Sequence, residues 1–490
     1  MRLLNVNTLA FKEFFDQDIP PYGILSHRWG EDEISHRDFR KGRGNGTLGY
    51  RKIIDFCGFV HERRIFDFSA LKNLSKNVDD ELEGRSPILP GNEGEALRWV
   101  WIDSICIDKT SSQELSEAIN SMYSWYANAE ECYVYMRDVP SSEHTPAVEF
   151  WRTFDKSEWF TRGWTLQELL APTTVVFCSS QWEVFGHMQT DTGREQYLQL
   201  APFSHALRFE LNERISQITG IQTEYLKGRE SIESASIARR MSWAARRHTT
   251  RLEDEAYCLL GLFGVNMPLL YGEGRKAFLR LQEEIIKRSD DMSIFAWSLP
   301  NPDQERTGIL AQDISAFQSS GEVIRAPWGP ESPFSITNLG LEVGTRTQRV
   351  ALATTDHGCA IHIVQLNCFK PSPYTNVLAP VEIALLQCTH GFQRTQRSRC
   401  NDAPKPGYQK HDLFSKKRCE LEEAKFYIKL TSQHWDECRE CRGMEWMLIN
   451  QVSSEAARFL TPARKREQGV LDGFNGHAFD SRLQPSSRDG

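Results

Sequence analysis

No apolar run in this chain approaches the ~20 residues needed to cross a bilayer. The longest, around Cys258–Phe263, is short and broken by Gly261. The opening residues, Met1-Arg2-Leu3-Leu4-Asn5-Val6-Asn7, lack the apolar core of a signal peptide. These absences predict a soluble, cytoplasmic protein with no membrane span. Positive charge is not in excess either: the net charge is −8, which removes the general electrostatic reason to expect nucleic acid as a partner. The twelve cysteines form no regular frame. Cys106, Cys132, Cys178 and Cys258 sit inside apolar runs and read as reduced core thiols. Only Cys438 and Cys441 make a CxxC, with His434 nearby, while Cys400 and Cys419 lie at irregular distances. Zinc needs a second such pair or a matched histidine pair, so no metal is expected. A GxxxxGK[ST] phosphate loop is missing, and no segment repeats at a fixed period. Gly44-Asn45-Gly46-Thr47-Leu48-Gly49 fits GxGxxG, but the preceding Asp38-Phe39-Arg40-Lys41 is no apolar strand, which excludes a Rossmann fingerprint.

What is present is an ordinary globular composition, 40% hydrophobic and 25% charged over 490 residues, with thirteen tryptophans. That length predicts two or three domains. Apolar runs at Tyr22–Ser26, Trp99–Ile102, Cys132–Met136 and Thr174–Cys178 read as buried strands. Helical spacing appears between them, at Leu48–Val60, Glu114–Ala129 and Leu166–Leu170. Strands alternating with helices predict a parallel sheet covered on both faces, over residues 1–190. Ligands bind such sheets beyond the carboxyl ends of the strands. Ser26–Trp29, Asp103–Asp108 and Arg137–Asp138 all fall at those ends and are expected to share one cleft. Phe68 to Ala96, polar and acidic, reads as an inserted loop. Residues 200–297 read as a helical extension. Within it, Thr250-Arg251-Leu252-Glu253 has capping-box spacing, and Gly274–Arg288 is amphipathic with Phe278, Leu281, Ile285 and Ile286 inward. Short alternating runs over 300–460 predict an antiparallel β-rich domain, and 470–490 a disordered tail.

The chemistry concentrates in Ser157-Glu158-Trp159-Phe160-Thr161-Arg162-Gly163-Trp164-Thr165-Leu166-Gln167-Glu168-Leu169-Leu170. Two indoles, an arginine and one internal carboxylate stand where the chain turns into a helix. Aromatic faces beside an acid suit a flat, nucleotide-like ligand. Trp29 and Trp164 are candidates for stacking, and Arg28 and Arg162 for a diphosphate. Each has a plainer reading: the indoles pack sheet against helix, and the arginines pair with Asp103 or Glu31. Asp103 either faces a ligand or caps the following helix. His27 is a base or a backbone partner. Glu168 is an acid at a reacting centre or a surface carboxylate.

Several blocks together resemble the fungal heterokaryon-incompatibility (HET) family. They are Ile24-Leu25-Ser26-His27-Arg28-Trp29-Gly30, Trp101-Ile102-Asp103-Ser104-Ile105-Cys106-Ile107-Asp108-Lys109, Glu117-Ala118-Ile119-Asn120-Ser121-Met122, and Trp159 through Leu169. Downstream, Arg240-Met241-Ser242-Trp243-Ala244, Glu253 through Gly261 and Pro268 through Gly274 look like the extension that often follows this domain. The resemblance covers about residues 1–300. It implies a role in fungal non-self recognition and incompatibility cell death, with a protein partner or self-assembly. The HET domain is in turn similar to Toll/interleukin-receptor (TIR) domains, which implies a TIR/flavodoxin-like sheet. Some TIR enzymes cleave NAD at the nicotinamide–ribose bond, so NAD is implied here as a substrate and no resident cofactor is expected. Trp164-Thr165-Leu166-Gln167-Glu168-Leu169 has the spacing of the TIR catalytic Trp-Cys-x-x-Glu-Leu motif, with Thr165 in place of cysteine. An alternative register on Trp159-Phe160 puts Gly163 at the acid's position. On the first register Glu168 is catalytic, and Ser26, His27, Arg28, Trp29, Asp103, Arg162 and Trp164 form the binding surface. The rival reading is a non-enzymatic scaffold that acts through assembly.

Overall fold

The computed structural model describes residues 1–62, 97–192, 210–298 and 306–326, and strands at 335–337, 340–351, 360–372, 375–388, 391–395 and 422–428. The expected insertion at 68–96, the Cys438/Cys441 pair and the 470–490 tail lie outside these residues.

Seven strands form the first sheet: β1 (Arg2–Asn5), β2 (Phe11–Glu13), β3 (Tyr22–His27), β4 (Trp99–Ile102), β5 (Glu131–Tyr135), β6 (Thr174–Cys178) and β7 (Val184–Gln189), in the order β2-β1-β4-β3-β5-β6-β7. The central four, β4-β3-β5-β6, run parallel. All six residues of β3 and all five of β6 are buried, as strands covered on both faces must be. The edges depart from the all-parallel expectation, because β1, β2 and β7 pair antiparallel. β1 and β2 have four and three residues, too few for a period of two to be visible in sequence.

Helices α1 (His36–Arg40) and α2 (48–62) follow β3, α3 (Asp103–Cys106) and α4 (Ser112–Ala127) follow β4, and α5 (Ala147–Asp155) and α6 (Thr165–Leu170) follow β5. Ser111 caps α4 by accepting from the Glu114 N–H at 3.3 Å, and the helix buries Ala118, Ile119, Met122 and Tyr126 on one stripe. The glycine-rich stretch before α2 follows helix α1, not a strand. Gly44 and Gly46 take positive φ there (81° and 104°), so they serve a turn.

After β7 come α7 (Asn212–Thr219), α8 (Thr223–Leu226), α9 (Ile237–Ala244), α10 (Asp254–Tyr257) and α11 (Lys276–Ile286). α11 buries Phe278, Leu281, Ile285 and Ile286. The expected capping box at Thr250–Glu253 does not form: α10 begins after Glu253 with no side-chain cap. The Glu253 carboxylate instead accepts from the N–H groups of Gly272 and Gly274, at 2.8 and 3.0 Å, and fastens that loop.

Packing divides the chain into two units. The first comprises Met1–Pro300 with Leu310–Val343 and Leu366–Val381, so the sheet and the helices after it share one unit. The second comprises Asn301–Ile309, Gly344–Gln365 and Glu382–Gly490. Its described strands pair mostly antiparallel, as in Thr347–Ala351 with Ala360–Val364 and Ala384–Cys388 with Gly391–Thr395. Among the described residues no helix is long and apolar enough to cross a membrane.

Candidate functional site

β3 is the strand at which the winding reverses: β4 lies on one side of it and β5 on the other. A crevice opens at such a point beyond the carboxyl ends of the strands, and there β3 delivers Ser26 and His27 while β4 delivers Asp103. Residues 158–170 cross it as a 3-10 turn (Glu158–Thr161) followed by α6, every residue of which is buried.

At the centre lies a chain of hydrogen bonds. The Trp159 indole N–H donates to Ser26 Oγ at 2.9 Å, and the Ser26 hydroxyl donates to Glu168 Oε2. Glu168 is only 7% exposed, and the Cys132 thiol donates to its backbone carbonyl at 3.7 Å. Burial pushes the Glu168 carboxyl up to about 8; the Ser26 hydrogen bond opposes this, nearby Asp103 adds to it, and Arg247 and Tyr126 oppose it. Arg247 is itself buried. Its Nη1 donates to the Arg162 carbonyl at 3.0 Å and to Thr165 Oγ1 at 2.9 Å, while Nη2 has no hydrogen-bond partner. Burial brings the Arg247 guanidinium down to about 10, so it remains charged at neutral pH. This is an acid held largely protonated beside a fixed cation and a hydroxyl donor, a type of perturbed carboxyl that clusters at functional sites.

A second, more open cluster lies around Asp103. Trp29, 44% exposed, donates its indole N–H to Asp103 Oδ2 at 2.7 Å. The Lys109 ammonium stands 3.1 Å from the Trp29 ring centroid and 3.6 Å from the same carboxylate oxygen. His27 Nε2 lies 3.8 Å from Asp103 Oδ1 and 3.3 Å from Glu33 Oε1. Glu33 also grips Lys52 through both oxygens, at 2.9 and 2.8 Å, and accepts from the Gly30 N–H. Burial alone would raise the Glu33 carboxyl, but His27 and Lys52 outweigh it and hold it well below the usual range. This buried pair pins the 27–33 loop.

The residues singled out in sequence therefore separate. Ser26 and Glu168 are in direct contact, and His27, Trp29 and Asp103 gather next to them. Arg28 pairs with Glu158 at the surface, not with Asp103 or Glu31. Arg162 donates to Thr250 Oγ1 at 3.2 Å, and the Trp164 indole is near enough to Asp254 to favour its carboxylate; both lie against the segment that follows the sheet. Asp108 accepts from Thr110 in a local turn, and Asp138 fastens Ser157 and Glu158. Trp159, part of the stacking cluster in sequence, is 2% exposed and packs edge-on against Phe160 and Phe177. Its contribution is its N–H. Sequence reasoning missed Arg247, Lys109, Asp254 and Tyr126 as members of the site. Lys109 ends one of the quoted blocks, but nothing in the spacing of Arg247 or Asp254 points to Glu168 or Trp29.

Residues 22–153 match the family model described as Heterokaryon incompatibility protein (HET). This stretch is similar to a HET domain. The match ends before the Trp159–Glu168 block, so the matched stretch supplies Ser26, His27, Trp29 and Asp103, and the acid lies downstream of it. Residues 276–373 match a second model, Domain of unknown function (DUF8212). Among curated proteins the chain is similar to Vegetative incompatibility protein HET-E-1 of Podospora anserina, 38% identical over 293 residues, which is 59% of this chain and 18% of that protein. The chain thus spans about a fifth of that relative's length. No solved structure matches.

Next to the matched stretch, Gly163 marks a close approach. A Cβ there would lie 2.5 Å from Thr249 Cγ2 and 3.2 Å from Cys258 Sγ. The Gly163 N–H donates to the His248 carbonyl at 3.0 Å, and the His248 N–H to the Thr161 carbonyl at 2.7 Å. On the alternative register this position would hold the acid; here it is backbone packed on backbone. The carboxylate that reaches Ser26 belongs to Glu168.

Proposed function

We propose that this protein acts in fungal non-self recognition of the heterokaryon-incompatibility type, and that it does so by hydrolysing NAD in a TIR/flavodoxin-like domain. The observation that carries the chemistry is the buried Glu168 carboxyl hydrogen-bonded by Ser26 at the reversal point of the sheet. Breaking the nicotinamide–ribose bond develops oxocarbenium charge on the ribose, which one adjacent carboxylate stabilises. Nicotinamide leaves as a neutral base, so no second acid is required. Among the protein's own groups Glu168 is largely protonated at neutral pH, its carboxyl standing at about 8. A pyridinium ring brought alongside would draw the proton off, since a nearby positive charge favours the carboxylate. The acid would then ionise when substrate binds.

The role rests on the similarity to a HET domain and to a protein named for vegetative incompatibility. The test is NAD consumption with nicotinamide release by concentrated protein, beside a folded Glu168→Gln at least as thermally stable as the wild type. Turnover by the wild type and a loss of at least about 100-fold in the variant, the scale of one lost transition-state contact, is the expected result. Equal turnover in both would remove Glu168 from the chemistry.

One observation favours a second reading, a non-enzymatic module acting through assembly. Glu168 is almost fully covered and its carboxylate is already partnered by the protein's own side chains. Absence of NAD cleavage even in the assembled state, with biological activity retained by Glu168→Gln, would select that reading.

A further inference from the structure

One tryptophan in the site donates to an aspartate, and one lysine lies in the field of that acid. Trp29 donates to Asp103 at 2.7 Å. Asp254, on the segment that follows the sheet, accepts from the Tyr271 hydroxyl at 2.9 Å. The Lys109 ammonium sits on the Trp29 face, 3.1 Å from its centroid, and interacts favourably with Asp103 and Asp254. His27, its side chain 1% exposed, approaches Asp103 from within at 3.8 Å and leaves Nδ1 without a hydrogen-bond partner.

We propose that the Trp29 face, with Asp103, is a subsite for a flat organic cation, and that Lys109 is its internal occupant, displaced when such a ligand binds. The ligand class follows from the wall. An indole face attracts cations through its quadrupole, and the carboxylate rewards positive charge while anions are repelled. The Trp29 indole N–H fixes the Asp103 carboxylate in place, so the negative charge is preorganised and does not move with the ligand. Lys109 suits the part of a leaving occupant. Burial works against its charge although Asp103 favours it, and the net effect lowers the ammonium below its ordinary value. It also has a flexible stem and is about one-third exposed, so it can swing to water at small cost. The inference rests on the reading above for the identity of the cation, the pyridinium ring of NAD, but not for the existence of the subsite.

The test separates the two. Lys109→Met keeps the stem and removes the charge. Binding of the 1-methylnicotinamide cation and of neutral nicotinamide is followed on the full-length protein by calorimetry and by quenching of tryptophan fluorescence. The expected result is about tenfold tighter binding of the cation to the variant than to the wild type, the scale of a desolvated cation–π contact. Neutral nicotinamide should change less than twofold, and Trp29→Leu placed on Lys109→Met should abolish the gain. No gain in cation affinity, or an equal gain for both probes, overturns the proposal. If Lys109→Met does not fold, Lys109→Gln carries the same comparison. A gain without any NAD cleavage would keep the subsite and remove the hydrolysis reading; cleavage by the wild type with no gain would do the reverse.

Discussion

Glu168 is a residue whose placement opposes stability, and the sign of its pH dependence can be worked out. The folded carboxyl stands at about 8 against an ordinary value of 4.5. Below about pH 4.5 the carboxyl is protonated in both states and contributes no difference. Between 4.5 and 8 the folded protein holds a proton that the unfolded chain has released, so stability falls as pH rises through that window. Every tenfold difference in proton affinity between the two states is worth about 1.4 kcal/mol, which puts the full cost above pH 8 at several kcal/mol. Glu168→Gln keeps a neutral acceptor for Ser26 and removes the titration. Melting temperatures of the two proteins should coincide near pH 4.5 and diverge in favour of the variant by pH 8. Parallel melting curves across that range would mean that Glu168 is hydrated in solution and not buried as described. A catalytic carboxyl would justify carrying such a destabilising group, because sites of function often do so.

At the scale of elements, close packing fixes how α4 lies against the turn that carries Gly261, and that glycine sets the distance. Gly261, in the 3-10 turn Gly261–Phe263, sits against α4; a Cβ there would lie 2.1 Å from Tyr123 Cβ and 2.6 Å from its Cγ. Those atoms are next to the helix backbone and cannot swing away, so Gly261→Ala must push the turn and α4 apart. A loss of about 3 kcal/mol is expected, at the upper end for overpacking, read as a shift of the urea midpoint with unchanged slope. An unchanged midpoint would show that the turn moves freely against α4. The parallel strands were legible because they are long, apolar and bounded by polar residues: Tyr22–His27 and Thr174–Cys178 needed no tertiary knowledge. The edges were not, since Arg2–Asn5 is a strand only because β4 offers it a partner, and Phe11–Glu13 only because β1 then does. The same divide runs through the site. Ser26, Trp29, Asp103 and Glu168 declared themselves by chemistry at strand ends and in an aromatic block. Arg247, Asp254 and Lys109 are ordinary charged residues in sequence, and only the fold brings them to Thr165, Trp164 and Trp29. Gly261 was readable as a break in an apolar run, yet its reason, the Tyr123 side chain, lies 138 positions away (261 − 123).

For the molecule as a whole, the site joins the HET-like stretch to the helices that follow it. The Trp159–Glu168 block is gripped from residues 247–258. Arg247 reaches the Arg162 carbonyl and Thr165, His248 exchanges backbone hydrogen bonds with Thr161 and Gly163, and Arg162 donates to Thr250 Oγ1. Further along, Arg214 makes two bonds to Asp155, and the Asn212 amide donates to the Gln189 carbonyl at 3.2 Å. Without residues 210–298 these polar partners would face water, and the buried apolar side chains that the segment itself contributes, Ile215, Ile237, Met241 and Leu259, would be lost. A fragment cut at residue 192 should therefore fail to hold α6 and Glu168 against Ser26. Compared with a fragment of residues 1–326, the 1–192 fragment should lose hydrogen-exchange protection at 159–170 by at least about 100-fold and melt well below it, because regions stripped of buried contacts open locally first. If the short fragment kept its protection at 159–170, the contacts from 247–258 would be dispensable and Arg247 would have no part in setting the state of Glu168. The expected outcome would instead make the helical segment a structural wall of the site, so that any signal loosening residues 247–258 would act directly on the acid.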